Sequence, residues 1–471
     1  MTSRSGTAGA PRIDDRLRRW TTVVAVAVPV AMALTVFAAR TRDIPLNGDE
    51  PHYLIMADSV ASDGDLDLHN NYLRDFDTHR IFGLVTPHVY NVARGWMPYH
   101  APGLGILLAV PLRIGGVAGA RVALILFTAA LPWALVSWLR DRLSNGSAAW
   151  LTVGLTVTLP LLFDGGQIYP DLLAGVVVTV LVLWLLRRIE DAHAGASWAG
   201  FWLIVGALPW LNVKYIAVTL VLAGAGAVLA IRLRGRRLST PLATSVLVFL
   251  GIGSLAAFHV WAFGTPLGAR RMTELTTSMS RAMEIFLGLH FDQSQGMFSQ
   301  QPLLLAGVAA LPLFVRRRPR FALFWALLYA AAIVPNALEL ARYGGNGPVG
   351  RFGWTAAWLW TIPIGVVASA EGRTLSRTVR VTVILSLCYQ AALATRWLAD
   401  PQVLFPELGE PRDSLFPAAL GHWLPSFYFW DFSSYWSYPP NVAAMVTVLI
   451  LLLIGMMAGL APKRGTLRAF L

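Results

Sequence analysis

Apolar runs of about twenty residues recur from one end of this 471-residue chain to the other, and nothing else in it narrows the fold as much. A run of that length crosses the hydrocarbon core of a bilayer as a helix. Twelve such segments can be read, at residues 20–39, 121–139, 148–163, 171–187, 198–213, 216–232, 241–262, 302–315, 321–336, 353–369, 381–397 and 441–461. The chain is 56% hydrophobic and 14% charged, whereas a soluble domain carries about 25% charged residues. No polar stretch is long enough for a separate soluble domain. The expected fold class is therefore an all-α polytopic integral membrane protein with about 12 transmembrane helices.

Charge sets the expected orientation. Residues 103–117 form one further apolar stretch, short and interrupted by Pro111 and Arg113, and counting it as a span would invert everything after it. Without it, the N-terminal arginines, Arg140/Arg142, Arg187/Arg188, 232–237, 316–320, 373–380 and 463–468 all fall on one side. Most acidic residues fall on the other. Short loops rich in Lys and Arg stay in the cytoplasm, so both termini are expected there. Residues 103–117 then read as an interfacial or re-entrant helix on the outer surface. Three long loops, 40–120, 263–301 and 398–440, face outward from the plasma membrane on this reading. The net charge of +12 has this topological explanation and needs no nucleic acid. The N-terminal run of about 18 apolar residues exceeds the 7–15 of a signal-peptide core, so an uncleaved span is preferred over cleavage near Ala38-Ala39. The single cysteine, Cys388, excludes an internal disulfide and a cysteine-based zinc site.

The first outer loop carries the densest chemistry. It opens with Asn47-Gly48-Asp49-Glu50-Pro51-His52-Tyr53, about ten residues past the first span. Charge beside hydrocarbon is costly and tends to mark binding or catalysis. Pro51 suits a first helical turn, so Asp49 and Glu50 would stand at a helix N-terminus, where an ordinary acidic cap is the plain alternative. Asp63, Asp65 and Asp67 alternate in the next stretch. A calcium loop would need Gly and Glu where Leu68 and Arg74 stand, and an Asp-x-Asp nucleotide-sugar site would need an α/β domain that this chain has no room for. A turn after a surface helix is preferred. His88, Tyr99 and His100 complete the loop. Further on, His259 reads as a core histidine. The aromatics Phe427, Tyr428, Phe429, Trp430, Tyr435, Trp436 and Tyr438 read mostly as an interfacial belt, with sugar or lipid stacking as the sharper alternative.

The arginine-rich N-terminus, one span, an Asp-Glu pair opening a long outer loop and a late second span together resemble the GT-C glycosyltransferases. The resemblance is to the bacterial relatives of the dolichyl-phosphate-mannose protein mannosyltransferases and of the lipid A aminoarabinose transferases. Its local blocks are Gly48 to Leu54, Phe163 to Asp171, Leu208 to Tyr215 and Gly350-Arg351-Phe352. It divides the chain into an N-terminal module, 1–262, holding a catalytic first loop, and a variable C-terminal region, 263–471.

The resemblance implies an inverting transfer of a sugar from a polyprenyl-phosphate donor to an extracytoplasmic acceptor, which is a glycolipid, a polysaccharide or a protein. Residue chemistry fits independently. A carboxylate can take the proton of an acceptor hydroxyl, and positive charge is needed where the departing phosphate gains charge. Asp49 is the expected base, with Glu50 positioning the acceptor or binding an ion. Lys214, Arg351 and Arg270 are the expected phosphate ligands, with Arg271 an alternative. Lys214 is one of two lysines in the chain, and a lysine snorkelling from a helix end is its plain reading. His52, Tyr53, His88, His100, Gln167, Tyr169 and Asp171 are the expected substrate-binding residues. No cofactor is required, although Asp49 and Glu50 could hold a divalent cation. The sugar stays open among mannose, arabinose and glucose. The alternative reading is a polytopic lipid or solute transporter or flippase of the cell envelope, which would use the same charges as a substrate path.

Overall fold

Each of the twelve apolar segments is helical over most of its described length. The computed structural model describes residues 13–40, 46–83, 85–163, 166–190, 197–232, 244–268, 275–340, 342–344, 347–370, 374–400, 403, 416, 418–427 and 437–460. The elements begin with α1 (Ile13–Arg40), α2 (Glu50–Ser62), α3 (His69–Thr78), β1 (Val89–Val92) and β2 (Gly95–Pro98). There follow α4 (Gly103–Thr128), α5 (Ala130–Leu139), α6 (Asn145–Thr156), α7 (Leu159–Leu162), α8 (Pro170–Glu190), α9 (Trp198–Leu211) and α10 (Ile216–Arg232). The rest are α11 (Val246–Phe263), α12 (Met279–Phe291), α13 (Met297–Gln300), α14 (Leu305–Arg317), α15 (Pro319–Ala337), α16 (Arg351–Ala357), α17 (Thr361–Ala370), α18 (Arg377–Ala399), α19 (Ala418–Gly421) and α20 (Pro439–Leu460).

Among the described residues, nine helices are long and apolar enough to cross a membrane. Three of the twelve expected spans fall short. Segment 198–213 is the 14-residue α9, and 302–315 starts as a 3-10 turn and becomes the 13-residue α14. Segment 148–163 breaks between α6 and α7, where Thr158 is extended. A break at such depth needs another partner for the freed backbone. Gln390 of α18 supplies it, its Oε1 accepting from Leu159 N at 2.6 Å while its Nε2 donates to Gln300 O and Gln301 Oε1.

Residues 103–117 do not stand as a separate helix. They run into the next span as α4, which changes direction at Gly116 (φ 60°, ψ −154°). The arm before the bend has two apolar faces. Leu104, Leu108 and Leu112 are buried with Leu54, Ile55 and Met56 of α2, while Val110 and Ile114 are exposed. A helix that is apolar on both sides, with protein against one, suits a position between protein and lipid.

The bundle is centred on α8 and the α16–α17 helix. Over an 18-residue apolar stretch of each, 83% of Arg351–Ala370 and 72% of Pro170–Glu190 is buried, against 6% for Pro439–Gly459. Gly175 of α8 lies against the backbone of Trp354, and a Cβ there would overlap the Trp354 carbonyl. This close approach brings the first residues of α8 and α16 to the same end of the bundle, under the first loop.

That loop holds α2, α3 and a hairpin. Strands β1 and β2 pair antiparallel, with Val89 opposite Pro98 and Val92 opposite Gly95. The alternating acids form turns, as expected. Asp65 Oδ1 accepts from Ser59 Oγ and Asp67 N, and Asp67 Oδ1 accepts from His69 N and Trp96 N. Asp67 therefore ties the start of α3 to the hairpin. The Arg94 guanidinium packs over the Trp261 ring of α11 at 5.0 Å, fixing the hairpin's far end.

Candidate active site

Asp49 is at the N-cap position of α2, but its side chain makes no capping bond. Its backbone carbonyl accepts from the amides of His52 and Tyr53, which satisfies the helix start. The carboxylate is free to turn outward. Oδ2 accepts from Arg351 Nη1 at 3.2 Å, and Oδ1 lies 3.6 Å from His100 Nε2 and 3.8 Å from His88 Nδ1. The Asp49 amide donates to the Tyr169 hydroxyl, which donates in turn to the Asn47 carbonyl.

Glu50, one residue on, points the other way. Its side chain is fully buried, against 22% exposure for Asp49. Oε2 accepts from Asn47 N and Oε1 from Ile168 N, while Arg121 Nη2 lies 3.5 Å from Oε2. The Gln167 amide, turned with its nitrogen toward Glu50, donates to both oxygens at 2.9 and 3.2 Å. Glu50 and Gln167 thus join the first loop to the segment before α8. Neither lines the cavity that Asp49 faces.

A cavity of about 560 Å³ lies between the first loop and the ends of α8, α11 and α16. Eight of the twelve expected site residues line it: Asp49, His52, Tyr53, His88, His100, Asp171, Lys214 and Arg351. Tyr169 is buried just beneath, with the Arg351 guanidinium over its ring at 4.4 Å. Arg270 lies outside the described residues, as do Arg271, Tyr428, Phe429, Trp430, Tyr435 and Trp436. His259 is buried, as a core histidine would be, yet it borders the cavity and turns Nδ1 to the Pro266 carbonyl at 3.2 Å.

The two cations are held differently from a snorkelling pair. Lys214 Nζ donates to Asp171 Oδ1 at 2.6 Å and to Asn336 Oδ1 at 2.8 Å, and packs over the Phe352 ring at 4.0 Å. The Tyr215 hydroxyl also donates to Asp171, at 2.9 Å. Arg351 donates to Asp49 and to the Gly344 carbonyl, and its Nε is buried with no partner among the described residues. Each cation thus faces a carboxylate across the same space, so the cavity is charged but locally balanced.

Histidines complete the wall. His52 Nδ1 lies 2.7 Å from the Tyr72 hydroxyl, and its ring stacks on His88 with centroids 3.7 Å apart. His88 Nδ1 lies 3.3 Å from His100 Nε2. Burial, with His88 and His100 alongside, pushes His52 down to about 3, against the pull of Asp49, so its imidazole is neutral. Burial pushes the Asp49 carboxyl up, but His100, Arg351 and His88 together outweigh it and hold it below the ordinary value. Glu50 ends above its ordinary value, because burial outweighs Arg121 and the amides of Ile168 and Asn47. Burial also raises the phenols of Tyr53, Tyr72 and Tyr169, keeping them neutral.

Sequence reasoning missed Asn336, Arg121 and Tyr72. The first two had a readable signal, a polar group and a charge within or at the start of apolar spans. Tyr72 had none, because its partner is set by how α3 packs on α2.

No protein-family model and no curated protein matches this chain. Among solved structures it is similar to the crystal structure of ArnT from Cupriavidus metallidurans bound to undecaprenyl phosphate. The two are 18% identical with a TM-score of 0.49, over 92% of this chain and 72% of that one.

Proposed function

We propose that this chain is a multi-pass inverting glycosyltransferase. It moves a hexosyl or pentosyl group from a polyprenyl-phosphate donor to an acceptor hydroxyl on the outer face of the plasma membrane, with both termini in the cytoplasm. One observation carries the reading. An ionised carboxylate, Asp49, shares a cavity with the cations Arg351 and Lys214 and is the more reachable of the two first-loop acids.

Asp49 takes the proton of the acceptor hydroxyl as its oxygen attacks the anomeric carbon from the face opposite the phosphate. The bond from that carbon to the phosphate oxygen breaks, and polyprenyl phosphate leaves with the electron pair. Arg351 and Lys214 are placed in the cavity to oppose the charge gathering on that phosphate. Asp171 and Asn336 hold the Lys214 ammonium in position. Glu50 acts through the fold, by anchoring the loop that carries Asp49 to Ile168 and Arg121.

The test is a lipid measurement in cells that depend on this chain. Replacing it by the Asp49→Asn variant should make one polyprenyl-phosphate sugar accumulate in the membrane while one envelope glycan disappears. Unchanged lipid pools and glycans with the folded variant present would overturn the reading.

A further inference from the structure

Every backbone donor and acceptor from Pro425 O to Phe427 O, in the last outer loop, has a protein partner. Gln293 N donates to Pro425 O at 2.8 Å. Ser426 N donates to Asn441 Oδ1, and Ser426 O accepts from Asn441 Nδ2. The Phe427 amide donates to Asp292 Oδ2 at 2.9 Å, and its carbonyl accepts from the Tyr343 hydroxyl at 3.2 Å. Connecting loops ordinarily run over the surface and leave such groups to water. Phe427 is instead buried.

Both partners of Phe427 lead to Arg351. Asp292 stands just past the end of α12, and its Oδ1 accepts from Ser294 N and Gln295 N at 2.9 Å each. Gln295 Oε1 accepts in turn from Gly350 N at 2.7 Å, which fixes the residue before Arg351. Tyr343 works from the other side. The residue after it, Gly344, offers its carbonyl to Arg351 Nη2. One arm therefore holds the backbone that carries the arginine, and the other holds its guanidinium.

Each arm is costly to build. Asp292 is 1% exposed, and a buried carboxylate is unfavourable unless it is hydrogen-bonded. Tyr343 has φ 53°, a left-handed conformation uncommon in any residue with a side chain. Gly288 of α12 leaves the space that the Tyr343 hydroxyl fills, since a Cβ there would overlap it. Strain of this kind persists only where the surroundings enforce it, and it gathers at sites that bind or react. We propose that Asp292 and Tyr343 are positioning residues for Arg351, through which the last outer loop sets where the guanidinium meets the donor phosphate. The phosphate in this proposal rests on the transferase reading.

The experiment measures binding of farnesyl phosphate to the full chain in detergent micelles, with farnesol as the probe that lacks the phosphate. Wild type should prefer farnesyl phosphate. Tyr343→Phe removes one oxygen and keeps the ring, and should weaken farnesyl phosphate about fivefold while leaving farnesol unchanged. Asp292→Asn should weaken it about tenfold, because the lost acceptor is charged. Neither substitution should have a further effect in an Arg351→Ala background, where the group they place is gone. A general loss of stability would lower binding in both backgrounds. Wild-type affinity in Tyr343→Phe would overturn the proposal, and so would an equal loss with and without Arg351. Should Asp292→Asn not fold, Tyr343→Phe decides alone. A wild-type chain that binds farnesyl phosphate no better than farnesol would overturn the phosphate reading, and this inference with it, before any variant is measured.

Discussion

Arg351 donates to the Asp49 carboxylate at 3.2 Å across 302 residues of chain, joining the first outer loop to the start of the most buried span. The guanidinium does two things there. Together with His100 and His88 it holds the Asp49 carboxyl below its ordinary value against burial, and with its second nitrogen it donates to the Gly344 carbonyl.

Asp49→Asn preserves an acceptor for Arg351 but removes the base. Transfer should fall about 10²–10⁴-fold, the usual contribution of a positioned base. The melting temperature in micelles should change little. Retention of full transfer would remove Asp49 from the chemistry.

Glu50 should behave in the opposite manner. Glu50→Ala leaves Arg121 buried beside an empty site and strands the amides of Asn47 and Ile168. Breaking a buried pair in this way costs about 3–5 kcal/mol, so folded yield and melting temperature should drop sharply. Glu50→Gln should be milder, about 1–3 kcal/mol, because one of its two acceptors survives. Activity per folded molecule should persist in Glu50→Gln. A folded but inactive Glu50→Gln enzyme would instead assign Glu50 a direct part in the reaction.

Lys214 and Asp171 form a coupled pair, and a double-mutant cycle reads it directly. Lys214→Ala takes the ammonium away from the Asp171 carboxylate and leaves the Tyr215 hydroxyl donating to it. Asp171→Asn in the same chain should recover part of the loss, with a coupling energy on the order of 0.5–3 kcal/mol in thermal or denaturant melts. Strict additivity would mean that the two groups do not depend on one another. Donor binding should weaken in every variant lacking the ammonium.

Gly95 opens β2 with φ 109°, a conformation that other residues adopt at a cost, and a Cβ there would overlap the Asp67 carboxylate. Gly95→Ala should therefore disturb the hairpin that carries His88 and His100, destabilising the chain by about 1–3 kcal/mol. Transfer should fall alongside, since His88 and His100 line the cavity. Transfer equal to wild type in Gly95→Ala would separate the hairpin from the site.

Apolar length and arginine clustering are local properties, written over twenty residues at a time, and they were enough to read the helical spans and the helical arm before Gly116. They also singled out the first loop, because adjacent carboxylates beside a membrane helix are costly wherever they occur. Three spans came out shorter than read, since a broken helix is stable only when a distant partner such as Gln390 takes up the freed backbone. The family resemblance already preferred Asp49 over Glu50 as the base, but that only one of the two reaches the cavity belongs to the tertiary structure. Both sit at one helix start, and the direction each side chain takes is set by Arg351 on one side and Arg121 with Ile168 on the other. The pairing of His88 with His100 depends likewise on strand register, and the Lys214–Asp171 contact on the packing of α8 and α15 around it. Periodicity records which segments leave water; only packing decides which polar atoms meet once they have.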